Sequence, residues 1–295
     1  MKAIVVGAGG QVGWELRRQV PAGIELDALD RSALDLRDPE LAARIAERAP
    51  DVIINAAAYT AVDRAESERE LARAVNAEGA AALARAAHAT GARLVHISTD
   101  FVFDGSSPRP YGPDDPPNPL GEYGTSKLLG ERAVTEETRG SAVIVRTAWV
   151  YSAHGYNFVK TMLRLMTERD SLRVVADQVG TPSWAHLLAA ALWEIALRPE
   201  IGGPLHWTDL GVASWYDFAV AIQEEGLALG LLARPIAIEP IRSEDYPTPA
   251  RRPAFSVLDK TLSLRLLGAE RMHWREALRR MLRELKTQRG LSTTS

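Results

Sequence analysis

The first half of the chain alternates short, β-branched apolar runs with Ala-, Leu- and Arg-rich stretches. The apolar runs are KAIVV (2–6), IELDALD (24–30), DVIINAA (51–57), RLVHIS (93–98) and SAVIVR (141–146). Between them QVGWELRRQV (11–20), ELAARIAERA (40–49), residues 67–89 and a segment from about Leu120 read as helices. Runs that are apolar throughout, rather than alternating, suit strands covered on both faces, so this order predicts a parallel sheet built from βαβ units. The second half is less regular. Helical runs at 185–197 and 274–285 are broken by turn-rich pieces at 202–204 and 246–253, which predicts a smaller second domain. Residues 105–124 (GSSPRPYGPDDPPNPLGEYG) carry prolines that forbid regular structure, and a loop of this length often shapes a binding site.

Composition narrows the function classes. With 295 residues there is room for one large α/β domain, or one with a smaller companion. The 35 basic and 38 acidic residues are spread along the chain, with no basic stripe to neutralise phosphate backbones, which argues against nucleic acid as a partner. No run is apolar enough for a bilayer span, so no membrane association is expected, and the amino terminus reads as a first strand rather than a signal peptide. Cysteine is absent, which removes thiol nucleophiles, disulfides and Cys-based metal sites and fits a cytoplasmic setting. None of the six histidines has metal-ligand spacing, so no protein-held catalytic metal is expected.

The stretch GAGGQVG (7–13) places Gly7, Gly10 and Gly13 where a first strand feeds a first helix. Free N–H groups at such a helix start form an anion site, and glycine lets a pyrophosphate approach the backbone closely. The spacing is G-x-x-G-x-x-G rather than the common G-x-G-x-x-G, and the same glycines also suit a plain tight turn. Asp30 closes the second strand about 20 residues on, where a carboxylate can accept from a ribose hydroxyl. Arg31 follows it, and a guanidinium there suits a 2′-phosphate, so the pair is compatible with NADH and with NADPH. Asp35 and Leu36 could sit at the adenine edge.

Tyr123 and Lys127 lie four residues apart at the start of a predicted helix, which puts phenol and ammonium on one face. A cation beside a phenol lowers its pKa and makes it a usable acid toward a developing alkoxide; the alternative is an exposed aromatic beside a solvated lysine. Ser98 and Thr99 end the fourth strand, at the carboxyl edge where open α/β sheets bind ligands, and either hydroxyl could hold a carbonyl oxygen or simply cap the strand end.

These residues resemble the extended short-chain dehydrogenase/reductases, and within them the branch that reduces dTDP-sugars. The resemblance runs through GAGGQVGWEL, LDLRDP, PDVIINAAAYTAVDRAE, STDFVFDG, YGTSKLLGE, RTAWVY, DQVGTPSW, SWYDFA and YPTPARRPAFSVLD. It implies a Rossmann-like, doubly wound parallel sheet over 1–150 that binds NADPH or NADH. A smaller carboxy-terminal substrate-binding region over 151–295 would follow, with segments returning to the first domain. It also implies reduction of a C4 ketone on a dTDP-sugar. Gly10, Gln11 and Val12 would meet the pyrophosphate, with Gly7 and Gly13 also in the cofactor site, Asp30 and Arg31 would meet the adenosine ribose, and Asp35 and Leu36 the adenine. Ala58, Tyr59 and Thr60 would line the nicotinamide side, with Ala56 and Ala57 also in the cofactor site. Tyr123 would be the proton donor, Lys127 would bind the nicotinamide ribose and depress the Tyr pKa, and Thr99 would hydrogen-bond the C4 carbonyl. Asp100 and Trp149 would contact the sugar, the turn at 177–182 would cover it, and Arg251 and Arg252 are candidates for the substrate's pyrophosphate. Phe101 and Phe255 depart from the residues expected at their positions, a Tyr and a smaller or polar residue, and bear on sugar specificity. The resemblance leaves open a homodimer, Mg2+ at a subunit interface, an epimerase or another nucleotide-sugar reductase, and a non-catalytic regulatory subunit such as that of methionine adenosyltransferase.

Overall fold

The structure, a computed structural model, describes residues 1–290. The end of the 151–295 region, 291–295, lies outside them. In the first half β1 (Lys2–Val6), β2 (Glu25–Leu29), β3 (Val52–Asn55), β4 (Arg93–Thr99) and β5 (Val143–Thr147) alternate with helices. These are α1 (Gln11–Arg18), α2 (Leu41–Ala46), α3 (Val62–Ala65), α4 (Arg69–Arg73), α5 (Gly79–Thr90) and α6 (Glu122–Glu137). The second half contributes β6 (Val150–Tyr151), α7 (Phe158–Glu168), β7 (Ser171–Val175), β8 (Val179–Gly180), β9 (Ser183–Trp184) and α8 (Ala185–Leu197). Then come β10 (Gly203–His206), β11 (Ala213–Ser214), α9 (Trp215–Ala228), β12 (Ala237–Ile241), α10 (Thr261–Leu266) and α11 (Trp274–Gln288).

Six strands form one sheet in the order β10-β5-β4-β3-β1-β2, every pair parallel. The continuous apolar runs are explained by helices on both faces. Ala3 and Val5 pack with Val12 and Leu16 of α1 and Leu188 and Leu192 of α8. Ile4 and Val6, pointing the other way along the same strand, pack with Leu41 and Ile45 of α2 and Leu83 of α5. Each such side chain taken fully out of water contributes roughly 1.5–3 kcal/mol, which makes this doubly wound packing the main stabilising term. The chain leaves β1 for β2 on one side and resumes with β3 on the other, so a crevice opens at the carboxyl ends of β1 and β3.

The long helix expected over 67–89 is divided: α4 runs into a π-helical turn at Ala74–Glu78 and then into α5. Such wide turns are frequent at functional sites, and Asn76 lies within this one. Beyond residue 150, α8 and β10 return to the central sheet, while Phe218, Leu163, Leu278 and Met281 of α7, α9 and α11 build an apolar cluster of their own. Among the described residues no helix is long and apolar enough to cross a membrane.

Candidate active site

Two of the glycines in GAGGQVG are dictated by space. A Cβ on Gly7, which has φ +87°, would stand 2.6 Å from the backbone nitrogen of Ala57, and one on Gly13 would stand 2.1 Å from the Gly7 carbonyl oxygen. The turn is pinned by the N–H groups of Gly7 and Ala8, which both donate to Leu29 O at the end of β2. Gly9 and Gly10 face outward at the start of α1, where no side chain caps the helix, so the first N–H groups are left to an outside acceptor. Gln11 borders this lip, and its carboxamide oxygen accepts from Asn157 at 2.9 Å. Val12 turns its side chain into the apolar cluster beneath.

Asp30 stands exposed directly after β2. Its Oδ1 accepts from Ser32 N, Ser32 Oγ and Ala33 N, which holds its pKa below the usual carboxylate value. Arg31 is exposed beside it. Asp35 pairs with Arg37 and is held at about 2 by that side-chain bond. Leu36, expected at an adenine edge, is instead 7% exposed within the α2/α5 cluster, since Gly79 packs directly on its Cβ.

Ala56 to Thr60 leave the end of β3 and cross the crevice beside Gly7. The Ala57 N–H donates to Asn55 Oδ1, and Asn76 clamps Tyr59 by accepting from its N–H at 2.8 Å and donating to its carbonyl at 3.0 Å. The Tyr59 hydroxyl donates to Glu68, and Thr60 is exposed. Asn76 also donates to Ser126 Oγ, whose hydroxyl donates to the Tyr123 carbonyl, so the π-helical turn braces the first turn of α6.

Tyr123 and Lys127 lie in α6 as the spacing predicts. Gly124 brings the helix start against Phe101, since a Cβ there would meet the Phe101 carbonyl oxygen at 2.2 Å. The Phe101 ring meets Tyr123 edge-on at 5.6 Å. Burial pushes the phenol up to about 12; the Thr99 hydroxyl against it acts the other way, and the Asp100 carboxyl raises it further. The expected lowering of Tyr123 by Lys127 is therefore not found. The ammonium is instead turned to Ile97 O at 2.7 Å, and burial brings it down to about 8.

Thr99 Oγ1 accepts from Phe101 N–H and donates to Asp100 Oδ1. Asp100 is fully buried, and desolvation raises it to about 6. Around it Ser98 Oγ, Asp100 Oδ2 and Thr147 Oγ1 are buried without hydrogen-bond partners. Each such group left unpaired costs roughly 1–3 kcal/mol, and all three lie at or just beyond the carboxyl ends of β4 and β5.

Trp149 follows β5 with φ +46°, a conformation side chains rarely adopt and one that clusters at functional sites. Its ring stacks on Trp215 at 3.5 Å with the planes 5° apart. Gly180, within the 177–182 turn, makes room for it, because a Cβ there would lie 2.8 Å from the indole. Of the two arginines proposed for a pyrophosphate, Arg252 is gripped by both carboxylate oxygens of Asp63 at 3.0 and 2.8 Å. That contact ties its segment to α3 and occupies the guanidinium, while Arg251 is exposed. Phe255, half-buried, packs against the cluster that holds Phe103, Tyr111 and Leu128.

Asn55, Asn76, His96, Thr147 and Trp215 are the site neighbours that spacing does not single out. For two of them a signal exists: Asn55 and His96 are polar residues inside otherwise apolar strand runs.

Comparison with known proteins gives a consistent result. The family model described as RmlD substrate binding domain matches residues 1–287. A dTDP-4-dehydrorhamnose reductase of Burkholderia thailandensis is 46% identical, over 98% of this chain and 100% of that protein. The crystal structure of a dTDP-4-dehydrorhamnose reductase from Clostridium acetobutylicum superimposes with a TM-score of 0.91 at 38% identity, covering 97% of this chain and 100% of that one. That of Bacillus anthracis, in complex with NADP, has a TM-score of 0.89 at 36% identity over 96% and 99%. The chain thus belongs to the RmlD substrate binding domain family, together with these dTDP-4-dehydrorhamnose reductases.

Proposed function

We propose that the protein is an NAD(P)H-dependent oxidoreductase that reduces the C4 keto group of dTDP-4-dehydro-β-L-rhamnose (dTDP-6-deoxy-L-lyxo-4-hexulose) to give dTDP-L-rhamnose. The observation that carries this reading is the Thr99 hydroxyl set against the Tyr123 phenol at the carboxyl end of β4, with Lys127 one turn further along α6. The relatives of this name and the NADP-bound member support the substrate and the cofactor class.

The cradle fits a dinucleotide. Gly9 and Gly10 leave the N–H groups of α1 open to a pyrophosphate, Asp30 and Arg31 stand where an adenosine ribose would end, and 56–60 border the nicotinamide side. When bound, the reduced nicotinamide supplies hydride to the carbonyl carbon. Tyr123 gives its phenolic proton to the C4 oxygen, and with a value near 12 it holds that proton at neutral pH until the oxygen gains charge. Thr99 donates to the same oxygen and aligns it with the phenol. The Lys127 ammonium would hold the nicotinamide ribose and, as charge develops, would stabilise the phenolate through the low-dielectric interior. Asp100, Trp149 and Trp215 form the wall against which the sugar is oriented. In this reading 1–150 holds the cofactor, and the cluster of α7, α9 and α11 supports the substrate side.

The test is nicotinamide absorbance with NADH and, separately, NADPH, on substrate made from dTDP-glucose by dehydratase and 3,5-epimerase steps, with the product identified by NMR. Oxidation that yields dTDP-L-rhamnose is expected. Cofactor binding without oxidation would overturn the reading in favour of a regulatory subunit, and a C4 epimer of the product would assign a different reductase.

A further inference from the structure

Beneath the Tyr123–Lys127 face runs a buried polar row that the mechanism above does not use. Asn55, at the end of β3, and His96, in β4, are register partners in adjacent strands, and each is 1% exposed. Asn55 Oδ1 accepts the Ala57 N–H at 3.1 Å, which turns the amide nitrogen toward His96 Nδ1 at 3.0 Å. An amide nitrogen only donates, so Nδ1 is the bare nitrogen of the ring. Burial, and secondarily the Lys127 charge, hold His96 well below its usual value, so the ring is neutral and carries its proton on Nε2. That nitrogen lies 3.5 Å from Lys127 Nζ.

The lysine therefore has a distinct partner for each proton state. As ammonium it donates to the Ile97 carbonyl, and the His96 N–H opposes it. As amine it still donates to Ile97 and offers its lone pair to the His96 N–H. We infer that His96, locked by Asn55 as the Nε2–H tautomer, is a positioning residue that sets how readily Lys127 gives up its proton beneath Tyr123. The inference deepens the reductase reading and rests on it for the role of Lys127. The other groups around the lysine work from fixed places. Glu131, one turn on along α6, favours the ammonium but is itself held by Arg146 of β5; Tyr123 lies one turn back, with Asp100 beyond the end of β4. From β3 the neighbour is the uncharged Asn55, and from the π-helical turn it is Asn76, reaching Ser126.

The test combines ring-nitrogen NMR of the 15N-histidine-labelled chain with the pH profile of kcat. In the wild type His96 should show a bare Nδ1 and a protonated Nε2 from pH 6 to pH 8; an Nδ1–H ring or an imidazolium overturns the inference. Asn55→Asp keeps the bond to Ala57 and turns a carboxylate oxygen to Nδ1, which must then carry the proton. The ring signals should exchange, and the basic limb of kcat should move up by about one unit or more. His96→Gln, whose amide can present its oxygen to Asn55 and its N–H to Lys127, should hold the limb near the wild-type position. A tautomer that flips while the limb moves by less than about 0.3 unit, or a Gln variant that shifts as far as Asn55→Asp, overturns it. A wild type that oxidises no NAD(P)H with the keto-sugar overturns the reductase reading instead, and the ring signals still decide the tautomer.

Discussion

Gly13 approaches Gly7 so closely that a Cβ on Gly13 would stand 2.1 Å from the Gly7 carbonyl oxygen, while a Cβ on Gly10 would stand 3.4 Å from that same oxygen. The two positions therefore separate folding from binding. Gly13→Ala must push α1 away from β1 and should lower stability by about 1–3 kcal/mol, the cost typical of overpacking a tight contact. Gly10→Ala needs little movement but places a methyl over the open N–H groups of the helix start, so it should fold normally and weaken cofactor binding about tenfold. Urea unfolding and cofactor titration of both variants check this. Equal losses of stability would show that the outward glycine is there for packing as well.

Tyr123→Phe should lower kcat by about 10²-fold or more with the unfolding transition unchanged, because the acid is removed while the ring and its edge contact with Phe101 remain. With the Tyr123 phenol near 12 and the Lys127 ammonium near 8, the wild-type kcat should fall on the alkaline side from about pH 8 as the lysine loses its charge. Steady-state rates from pH 6 to pH 10 read this directly. A plateau to pH 10 would mean that Lys127 keeps its proton throughout.

The parallel sheet, the glycine turn and the Tyr123/Lys127 face were legible because each follows from local pattern: continuous apolar runs, a strand-to-helix junction and a four-residue spacing. Side-chain direction is not carried by such patterns. Val12 and Leu36 stand in the expected segments, but both turn into the core, and Arg252 spends its guanidinium on Asp63, 189 positions away. The π-helical turn was hidden because Ala74–Glu78 suits an ordinary helix, and the wide turn depends on where Asn76 must reach. His96 and Asn55 did carry a signal, a polar residue inside a buried strand, which must find a partner; that the two find each other depends on strand order.

Asp100 illustrates a stability cost located at the site. Its folded-state value near 6 lies above the ordinary 3.8, so between those values the folded chain holds a proton that the unfolded chain has released. Stability from this group is therefore full below about pH 4, is lost as pH rises to about 6 and is flat above, a loss of about 3 kcal/mol. Asp100→Asn keeps the shape without the charge. Relative to the wild type it should gain stability progressively from pH 4 to pH 6 and hold that gain at pH 8, while losing affinity for the sugar. Denaturant unfolding at four pH values gives the difference curve; a difference independent of pH would mean that Asp100 is ionised at no unusual cost.

The Trp149–Trp215 stack supplies a prediction about substrate alone. Trp215 is the first residue of α9, and its position is set by a capping box in which Ser214 Oγ accepts from the Asp217 N–H while Asp217 accepts from the Ser214 N–H. The stack in turn braces Trp149 in its unfavourable positive-φ conformation, beside the room left by Gly180. Removing one ring of a stacked pair forfeits about 0.5–1.5 kcal/mol beyond its buried area, and here it also frees Trp149, the residue proposed to contact the sugar. Trp215→Ala should therefore raise KM for the dTDP-sugar about tenfold, with cofactor affinity within about twofold of wild type, since the ring removed stacks on Trp149 and Phe158 rather than on the glycines of the turn. Ser214→Ala, which loosens the cap but keeps the ring, should give a smaller change in the same direction. If Trp215→Ala instead weakened cofactor and sugar equally, the stack would be holding the two halves of the chain together rather than forming the sugar wall.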